Sequence, residues 1–415
     1  MTRMKFPARG RDDERVLDSL AVLAQTDPDA DRNRLALYAM YPGDHVHDLV
    51  VRAWQRYSHV NALVGRLVPS LARMEREIIE MSLDLFHAPD AATGFMMSGG
   101  TESLFQALFT AREQSREVRG IARPNVVTSR TAHASLEKSA HYLGMDIKRV
   151  HERENRRADV KGMAEAIDAN TVLLLGSAPA YPHGVFDPIE EIAALAAKSG
   201  LLCHADACVG GFLAPFMRDN GESIPDFDFA VAGVTSLSAD LHKYGYAAKG
   251  ASVVLYRDPE LAERQRFTCD QWPYGPYTVA TFAGSRPAGP VAAAWAVLHH
   301  LGREGYGRLA RQTVAARDRL IDGVLEIDGL EPYPGRPELS IWLITSPTHD
   351  IHAIAAAMEQ RGWVLFRCRE PAGIHILGDP FPDALIDRFL MDLAEVTRQA
   401  AGFKSDVEPV TGYRT

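Results

Sequence analysis

The segment that decides the fold of this 415-residue chain is Gly233–Tyr256, which reads GVTSLSADLHKYGYAAKGASVVLY. It ends in the apolar run Ser252–Tyr256, which predicts a buried strand, and before that run it switches from apolar to polar residues at His242 and Lys243. Such a pair is typical of a lysine that forms an imine with a carbonyl cofactor, which requires a desolvated amine that is neutral part of the time. Taken alone, the pair more often marks a solvated lysine.

A carboxylate upstream supplies a partner for such a cofactor. Asp206 closes the apolar run Leu201–Ala205 and lies in HADACVGGF, residues 204–212. A carboxylate at the end of a buried strand needs a positive partner, and a protonated pyridine nitrogen would be one. Keeping that nitrogen protonated makes the ring an electron sink. Capping of the next helix explains Asp206 equally well when it is considered alone.

Three short motifs offer further cofactor contacts. Gly100 and Thr101, in SGGTES, open a strong helix whose free N–H groups and dipole suit an anion. His133, in TAHAS, follows a strand and could lie flat on an aromatic cofactor, although a histidine at a helix N-terminus is the simpler alternative. Gly284 and Ser285, in AGSRPAG, form a tight loop that suits a second phosphate contact or a plain helix cap.

Composition places the chain among ordinary globular proteins. It is 46% hydrophobic and 24% charged, and its 45 basic against 54 acidic residues give a net charge of −9. An acidic chain lacks the electrostatic footprint of a nucleic-acid binder. Four scattered cysteines, a charged N-terminus and the absence of any apolar run of about 18 residues predict a cytoplasmic protein without disulfides, signal peptide or transmembrane segment.

The pattern of apolar runs predicts an α/β fold. Residues 1–94 read as mostly helical, and residues 95–300 alternate between short apolar runs and helices, which favours a mostly parallel sheet covered on both faces. Residues 301–403 mix helices with short strands, as in a small α+β domain, and residues 404–415 read as a loose tail. No His, Cys and Asp cluster has the spacing of metal ligands.

Taken together and in order, five strings resemble the sphingosine-1-phosphate lyases: SGGTES, TAHAS, HADACVGGF, SLSADLHKYGYAAKG and AGSRPAG. The likeness is to the soluble bacterial type, and it covers residues from about 60 to 400. These lyases belong to the group II decarboxylase-like enzymes of fold type I, which bind pyridoxal 5′-phosphate. The resemblance implies the aspartate aminotransferase-like fold, with a large α/β domain and a small C-terminal domain.

The resemblance also implies a role for each matching residue. Lys243 matches the lysine that binds the cofactor covalently, Asp206 the partner of the pyridine nitrogen, and His133 the residue stacked on the ring. Contacts to the cofactor phosphate are matched by Gly100, Thr101, His242, Gly284 and Ser285, the last arriving from a second subunit. Lys249 matches a ligand of the substrate phosphate, and Tyr181 and Tyr277 match tyrosines implicated in proton transfer.

The activity implied by the resemblance is cleavage of the C2–C3 bond of a phosphorylated long-chain base, or a similar β-hydroxy amine, to a fatty aldehyde and phosphoethanolamine. It implies an obligate homodimer with shared active sites, acting in sphingolipid metabolism. An amino-acid decarboxylase on the same scaffold is the alternative, and a catalytically silent scaffold is a third. Lys249 within HKYGYAAKG favours the lyase, while intact Lys243 and Asp206 argue against the silent scaffold.

Two positions depart from the family pattern on the substrate side. Val64 stands where the family has a histidine that contacts the substrate phosphate, and the bulky Tyr274 replaces a glycine. The resemblance therefore supports the cofactor site more strongly than the identity of the amine substrate.

Overall fold

The computed structural model describes residues 3, 6–25 and 40–399. Its centre is a seven-stranded sheet in the order β1-β7-β6-β5-β4-β2-β3. The strands are β1 Thr93–Met97, β2 Asn125–Ser129, β3 Asp146–Val150, β4 Thr171–Ser177, β5 Leu202–Asp206, β6 Ser236–Ala239 and β7 Ser252–Tyr256. The predicted tail, residues 404–415, lies outside the described residues.

The predicted mostly parallel sheet is confirmed. Strands β3, β2, β4, β5 and β6 run parallel to one another, whereas β7 runs antiparallel to both β6 and β1. The apolar runs of β2, β4 and β7 are buried along their whole length. Burial on both faces explains why β4 and β7 read as nearly continuous apolar runs and not as alternating patterns. The carboxyl ends of the parallel strands therefore share one edge, which β7 meets with its N-terminal end.

Helices cover this sheet and continue from it. They are α1 Asp13–Ala24, α2 Asp44–Arg56, α3 Pro69–Leu85, α4 Gly100–Arg119, α5 Ser135–Leu143, α6 Val160–Ala166, α7 Ile189–Lys198, α8 Ala214–Asp219, α9 Pro259–Glu263, α10 Gly289–Leu325, α11 Ile351–Gln360 and α12 Asp383–Gln399. Gly302 interrupts α10, because its φ of +52° and ψ of −173° are not helical. A glycine tolerates this conformation, so the chain passes from one helical stretch to the next across a kink.

The C-terminal part forms a second, antiparallel sheet in the order β10-β11-β13-β12. Its strands are β10 Glu331–Tyr333, β11 Ile341–Thr345, β12 Phe366–Arg369 and β13 Ala372–Leu377. A separate two-stranded hairpin, β8 Phe267–Cys269 and β9 Tyr277–Val279, precedes the AGSRPAG loop. No helix among the described residues is long and apolar enough to cross a membrane.

Candidate active site

A cavity of about 380 Å³ lies at the carboxyl edge of the parallel strands. Ligands of open α/β sheets bind at this edge, because the loops that follow the strands converge there. The cavity brings together seven of the residues singled out from the sequence: Gly100, Thr101, His133, Tyr181, Asp206, His242 and Lys243. They come from five separate segments of the chain, so the fold and not sequence proximity assembles them.

The glycine turn between β1 and α4 is held in shape by Glu102. One oxygen of its carboxylate accepts hydrogen bonds from the Ser98 N–H at 2.8 Å and the Ser98 hydroxyl at 2.5 Å. The other accepts the Phe282 N–H at 2.8 Å. Glu102 therefore connects the turn at the start of α4 to the loop that carries Gly284 and Ser285.

Close packing explains the glycine at position 100. A Cβ there would lie 2.7 Å from Cys208 Sγ and 3.0 Å from Asp240 Oδ2. Real Cβ atoms do not approach other atoms so closely, so the backbone N–H groups of the turn reach the cavity only because the side chain is absent. The turn begins an α-helix, whose N-terminal N–H groups and dipole favour an anion.

Asp206 lies at the end of β5 and is buried. Its Oδ1 accepts the Cys208 N–H at 3.1 Å and lies 3.5 Å from the Ser238 hydroxyl. These contacts fix the carboxylate at the wall of the cavity. The sequence analysis placed Asp206 at the end of a buried strand, and the structure has it there, at the last residue of β5.

Lys243 lies three residues after Asp240 in the turn that follows β6, and its Nζ contacts Asp240 Oδ2 at 2.8 Å. Burial lowers the pKa of Lys243, but the Asp240 carboxylate outweighs that effect, so this pKa lies above its usual value. The sequence predicted a lysine that is neutral part of the time. In the structure the contact with the Asp240 carboxylate favours the ammonium form of this lysine.

His133 is a neutral imidazole whose protonation is fixed by its neighbours. The Ser135 N–H donates to His133 Nδ1 at 3.2 Å, so the ring proton belongs on Nε2. Burial lowers the pKa of His133, which keeps the ring uncharged at neutral pH. A neutral, largely buried ring suits stacking on an aromatic ligand.

Tyr181 is placed by a histidine of the small sheet. His375 Nε2 donates to the Tyr181 carbonyl at 2.8 Å, and the two rings lie 4.7 Å apart at 35°. On the other side, the Tyr181 and His133 rings meet edge to face at 6.4 Å. The C-terminal sheet therefore helps to orient a side chain that lines the cavity.

His242 and Lys249 lie at the side of the glycine turn. The Gly250 and Ala251 N–H groups donate to His242 Nδ1 at 3.3 and 3.2 Å, which leaves the ring proton on Nε2. A Cβ at Gly99 would lie 3.1 Å from this ring, so His242 adjoins the turn. The exposed Lys249 donates from Nζ to the His242 carbonyl at 2.7 Å.

Besides Lys249, three predicted site residues do not line the cavity. Tyr277, Gly284 and Ser285 are absent from the described residues that line the cavity. They cluster with one another instead, since a Cβ at Gly284 would lie 2.8 Å from the Tyr277 hydroxyl. The Asn61 side-chain amide donates to Ser285 Oγ at 3.0 Å, and Ser285 itself is exposed. Within one chain the structure therefore leaves these three residues outside the cavity.

Two carboxylates of the site were missed by the sequence analysis. Glu102 and Asp240 both stand inside the motifs quoted above, but neither was assigned a role. The signal for Asp240 was its position three residues before Lys243, which places two side chains within ion-pair reach on one turn. The signal for Glu102 was its place in the first turn of a helix that begins at a glycine.

The cavity fits a flat cofactor that carries an aldehyde and a phosphate. Among the described residues, two buried polar atoms that line it, Ser177 Oγ and Asp240 Oδ1, have no well-oriented hydrogen-bond partner. The helix N-terminus and His242 suit a phosphate, Lys243 suits an aldehyde, and His133 and Asp206 suit an aromatic nitrogen ring. Donor groups of the right chemistry thus face one space.

The chain is similar to known proteins over most of its length. The profile of the family described as "Pyridoxal-dependent decarboxylase conserved domain" matches residues 59–328. The sphingosine-1-phosphate lyase of Arabidopsis thaliana is 38% identical over 369 residues, which cover 88% of this chain and 67% of that protein. Sphingosine-1-phosphate lyase 1 of Rattus norvegicus is 39% identical over 372 residues, which cover 89% and 65%.

A solved structure is similar over nearly the whole chain. The sphingosine-1-phosphate lyase of Burkholderia pseudomallei K96243 superposes with a TM-score of 0.91 at 36% sequence identity. The match covers 96% of this chain and 94% of that one.

Proposed function

This chain belongs to the family of pyridoxal-dependent decarboxylases, and from that premise we propose that it is a sphingosine-1-phosphate lyase. It takes pyridoxal 5′-phosphate as its cofactor and is a lyase of the carbon–carbon type. It cleaves the C2–C3 bond of a phosphorylated long-chain base to a fatty aldehyde and phosphoethanolamine. The observation that carries the proposal is the convergence of Asp206, His133 and Lys243 on one cavity, with Lys249 beside it.

Each cavity residue has a part of the cofactor that suits its chemistry. Lys243 would hold the aldehyde, and Asp206 would hold a protonated ring nitrogen. His133 would cover the ring, and the turn at Gly100 and Thr101, with His242 Nε2, would hold the phosphate. When bound, the cofactor supplies a ring that accepts the electron pair of the breaking bond.

The substrate side is served by Lys249 and Tyr181. Lys249 is an exposed cation beside His242, close to the turn that would hold the cofactor phosphate. It would bind the phosphate of the substrate. Tyr181 is oriented by His375 and faces His133, so its hydroxyl would take part in proton transfer at the substrate's 3-hydroxyl group, as the family resemblance implies. A fixed tyrosine keeps this proton transfer aligned with the bond that breaks.

A second copy of the chain would complete the site. Tyr277, Gly284 and Ser285 carry functional chemistry in the family pattern but lie outside their own cavity, and nearby aromatic side chains are exposed. Exposed fractions of 52%, 89% and 69% are found at Trp272, Tyr274 and Phe282. An aromatic surface of this kind is typical of an interface. The proposal is an obligate homodimer in which Tyr277 and this loop reach the partner's cofactor.

The proposal extends to the organisation and location of the protein. The chain divides into a helical segment, residues 1–94, a cofactor-binding domain, residues 95–300, and a small domain, residues 301–403. Cys203, Cys208, Cys269 and Cys368 are free thiols, which supports a cytoplasmic enzyme. Its place would be in sphingolipid breakdown.

Product analysis tests the proposed activity. The purified protein should be yellow, and with sphingosine 1-phosphate it should release a long-chain aldehyde and phosphoethanolamine in equal amounts, as measured by mass spectrometry. Borohydride should fix the cofactor on Lys243, as shown by peptide mapping. The Lys243→Ala variant should lose both properties, and the exposed Lys198→Ala should keep them. Release of carbon dioxide from an amino acid without aldehyde formation, or a label on another lysine, would contradict the proposal.

A further inference from the structure

A buried carboxylate adjoins the turn that suits the cofactor phosphate. Asp240 follows directly on β6 and is 2% exposed. Its Oδ2 and Oδ1 lie 3.0 and 3.2 Å from the position that a Cβ of Gly100 would occupy. Asp240 also lines the same cavity as the turn, so a phosphate bound at the turn would lie near a carboxylate. Two anions in one buried place need an arrangement of protons that removes one of the charges.

The groups that face Asp240 show which proton is available. Oδ2 contacts Lys243 Nζ at 2.8 Å and His242 Nε2 at 3.5 Å. His242 is neutral, because burial lowers its pKa and its Nδ1 accepts two backbone N–H groups. Cys208 also lies against the turn, and burial raises the pKa of its thiol, so it stays protonated. The proton that can move to Asp240 is therefore one of those on Lys243 Nζ.

Asp206 and Lys249 complete the charged surroundings. Asp206 adds a negative charge in the same cavity, and Lys249, beside His242, adds a positive charge outside it. Neither contacts Asp240 as closely as Lys243 does. In the absence of a phosphate, the carboxylate and the ammonium therefore neutralise each other, which holds the amine in an unreactive form.

We propose that Asp240 is a phosphate-triggered proton acceptor, a positioning residue that keeps Lys243 inactive until a phosphorylated aldehyde enters. This inference rests on the proposed function, because it assumes that the phosphate binds at Gly100. Of the two charges in the pair, the carboxylate is the one against the turn. A phosphate there repels Asp240 more than it attracts Lys243, so the pair is driven to its neutral form.

The proton balance of the capture step follows. The proton passes from Lys243 Nζ to Asp240 Oδ2 across the 2.8 Å contact, which frees the nitrogen lone pair. That lone pair attacks the aldehyde carbon and forms a carbon–nitrogen double bond, while the aldehyde oxygen leaves as water with the two remaining amine protons. Asp240 is left as a neutral carboxylic acid whose O–H can donate to the phosphate.

The test compares capture of two aldehydes by the full-length protein after its cofactor has been removed. Pyridoxal 5′-phosphate and pyridoxal differ only in the phosphate, and the limiting first-order rate at saturating aldehyde is read from the absorbance of the covalent product. In the wild type, pyridoxal should react at least about tenfold more slowly than pyridoxal 5′-phosphate. Without a phosphate Lys243 stays mostly an ammonium, and each unit by which the pKa of an amine exceeds the pH lowers its neutral fraction about tenfold. Inorganic phosphate should accelerate the reaction with pyridoxal.

Asp240→Asn separates this role from a structural one. Without the carboxylate, the main charge that favours the ammonium form of Lys243 is gone and burial favours the neutral amine, so both aldehydes should react at similar rates and inorganic phosphate should have no effect. The rate–pH profile for pyridoxal should also move to lower pH. Asp228→Asn, which removes another fully buried carboxylate that does not line the cavity, should retain the wild-type ratio. Asp240→Ser provides a second variant if the asparagine side chain disturbs folding.

The outcomes distinguish a failure of the inference about Asp240 from a failure of the proposed function. If the wild type captures pyridoxal 5′-phosphate on Lys243 but shows no phosphate dependence with pyridoxal, the inference about Asp240 is wrong and the proposed function stands. The inference is equally wrong if Asp240→Asn and Asp240→Ser keep the wild-type rate ratio. If the wild type captures no aldehyde on Lys243, the proposed function itself fails.

Discussion

The predicted site is divided between the cofactor cavity and the hairpin region, residues 267–286. The side chains of these two regions differ greatly in how far they are buried. Around the cavity, side chains are enclosed and their partners are fixed, as with Asp206 at the end of β5 and His242 beside the glycine turn. In the hairpin region, Tyr274 is 89% exposed and Ser285 faces solvent. The residues of the first half meet within a single chain, whereas the predicted site residues of the second half lie at its surface.

The difference shows what a single chain can and cannot assemble. Parallel strands bring their carboxyl ends together whatever the neighbouring molecules do, so the residues that follow them meet without help. The hairpin has no such constraint, and its aromatic residues find contacts mainly with one another, as in the Trp272 and Tyr274 rings at 5.3 Å. Exposed aromatic side chains gain stability only when another surface covers them.

Mixed dimers test most directly whether the hairpin region completes the cavity of a second subunit. The variants Lys243→Ala and Ser285→Ala should each be inactive, because each lacks one half of every site. If sites are shared, random mixing in equal amounts gives about half heterodimers, each with one intact site, so roughly a quarter of wild-type activity should return. Aldehyde release measures the recovery, and Tyr277→Phe can replace Ser285→Ala as the second variant. Heterodimers that form without regaining activity would show that each subunit uses its own loop.

A smaller effect is expected at Glu102, which connects the two regions. Glu102→Gln weakens the contacts to Ser98 and Phe282 while keeping one acceptor oxygen. Charged hydrogen bonds contribute about 1.5–3 kcal/mol, so a partial loss should weaken binding of pyridoxal 5′-phosphate roughly tenfold. Absorbance titration measures this affinity, with the more exposed Glu113→Gln as the control. An unchanged affinity in Glu102→Gln would mean that the turn keeps its shape without the carboxylate.

The smallest effect on stability is expected at Tyr274. Because this side chain is 89% exposed, Tyr274→Gly should change the free energy of unfolding by less than about 1 kcal/mol. Combined with Val64→His, it should raise kcat/KM for sphingosine 1-phosphate, mostly through KM, because a phosphate ligand is restored and a bulky ring removed. Steady-state kinetics of the double variant and a thermal melt of the single one check both statements. Unchanged or poorer kinetics would show the two departures to be neutral.

The sequence predicted the elements whose apolar runs are continuous. The runs Leu201–Ala205 and Ser252–Tyr256 are found at β5 and β7, because strands buried on both faces read as nearly continuous apolar runs. The short β6, SLSA, was missed because two of its four residues are serines. The antiparallel direction of β7 was also missed, since nothing in the apolar pattern of a strand reports its direction.

Site residues were predicted where they belong to recognisable sequence motifs. Features of the site that depend only on tertiary packing were missed. Lys243, Asp206 and His133 were found because their residue types and spacing match the chemistry of a known family. The charge state of Lys243 was not, because it depends on the 2.8 Å contact with Asp240. The separation of Ser285 from the cavity depends on tertiary geometry, which a linear motif does not contain.

The antiparallel return of β7 limits how the chain can change in length. Asp240, His242, Lys243 and Lys249 all lie between β6 and β7. Both ends of this segment are tied to the same sheet edge, through the His242 N–H to the Ala251 carbonyl at 3.0 Å and the Ser252 hydroxyl to the Ala239 carbonyl at 3.1 Å. An inserted or deleted residue cannot be absorbed by sliding either end, so it must displace the lysine or its carboxylate. We expect alignments of active relatives to be free of gaps here, and the segment to be exchangeable between enzymes only as one piece.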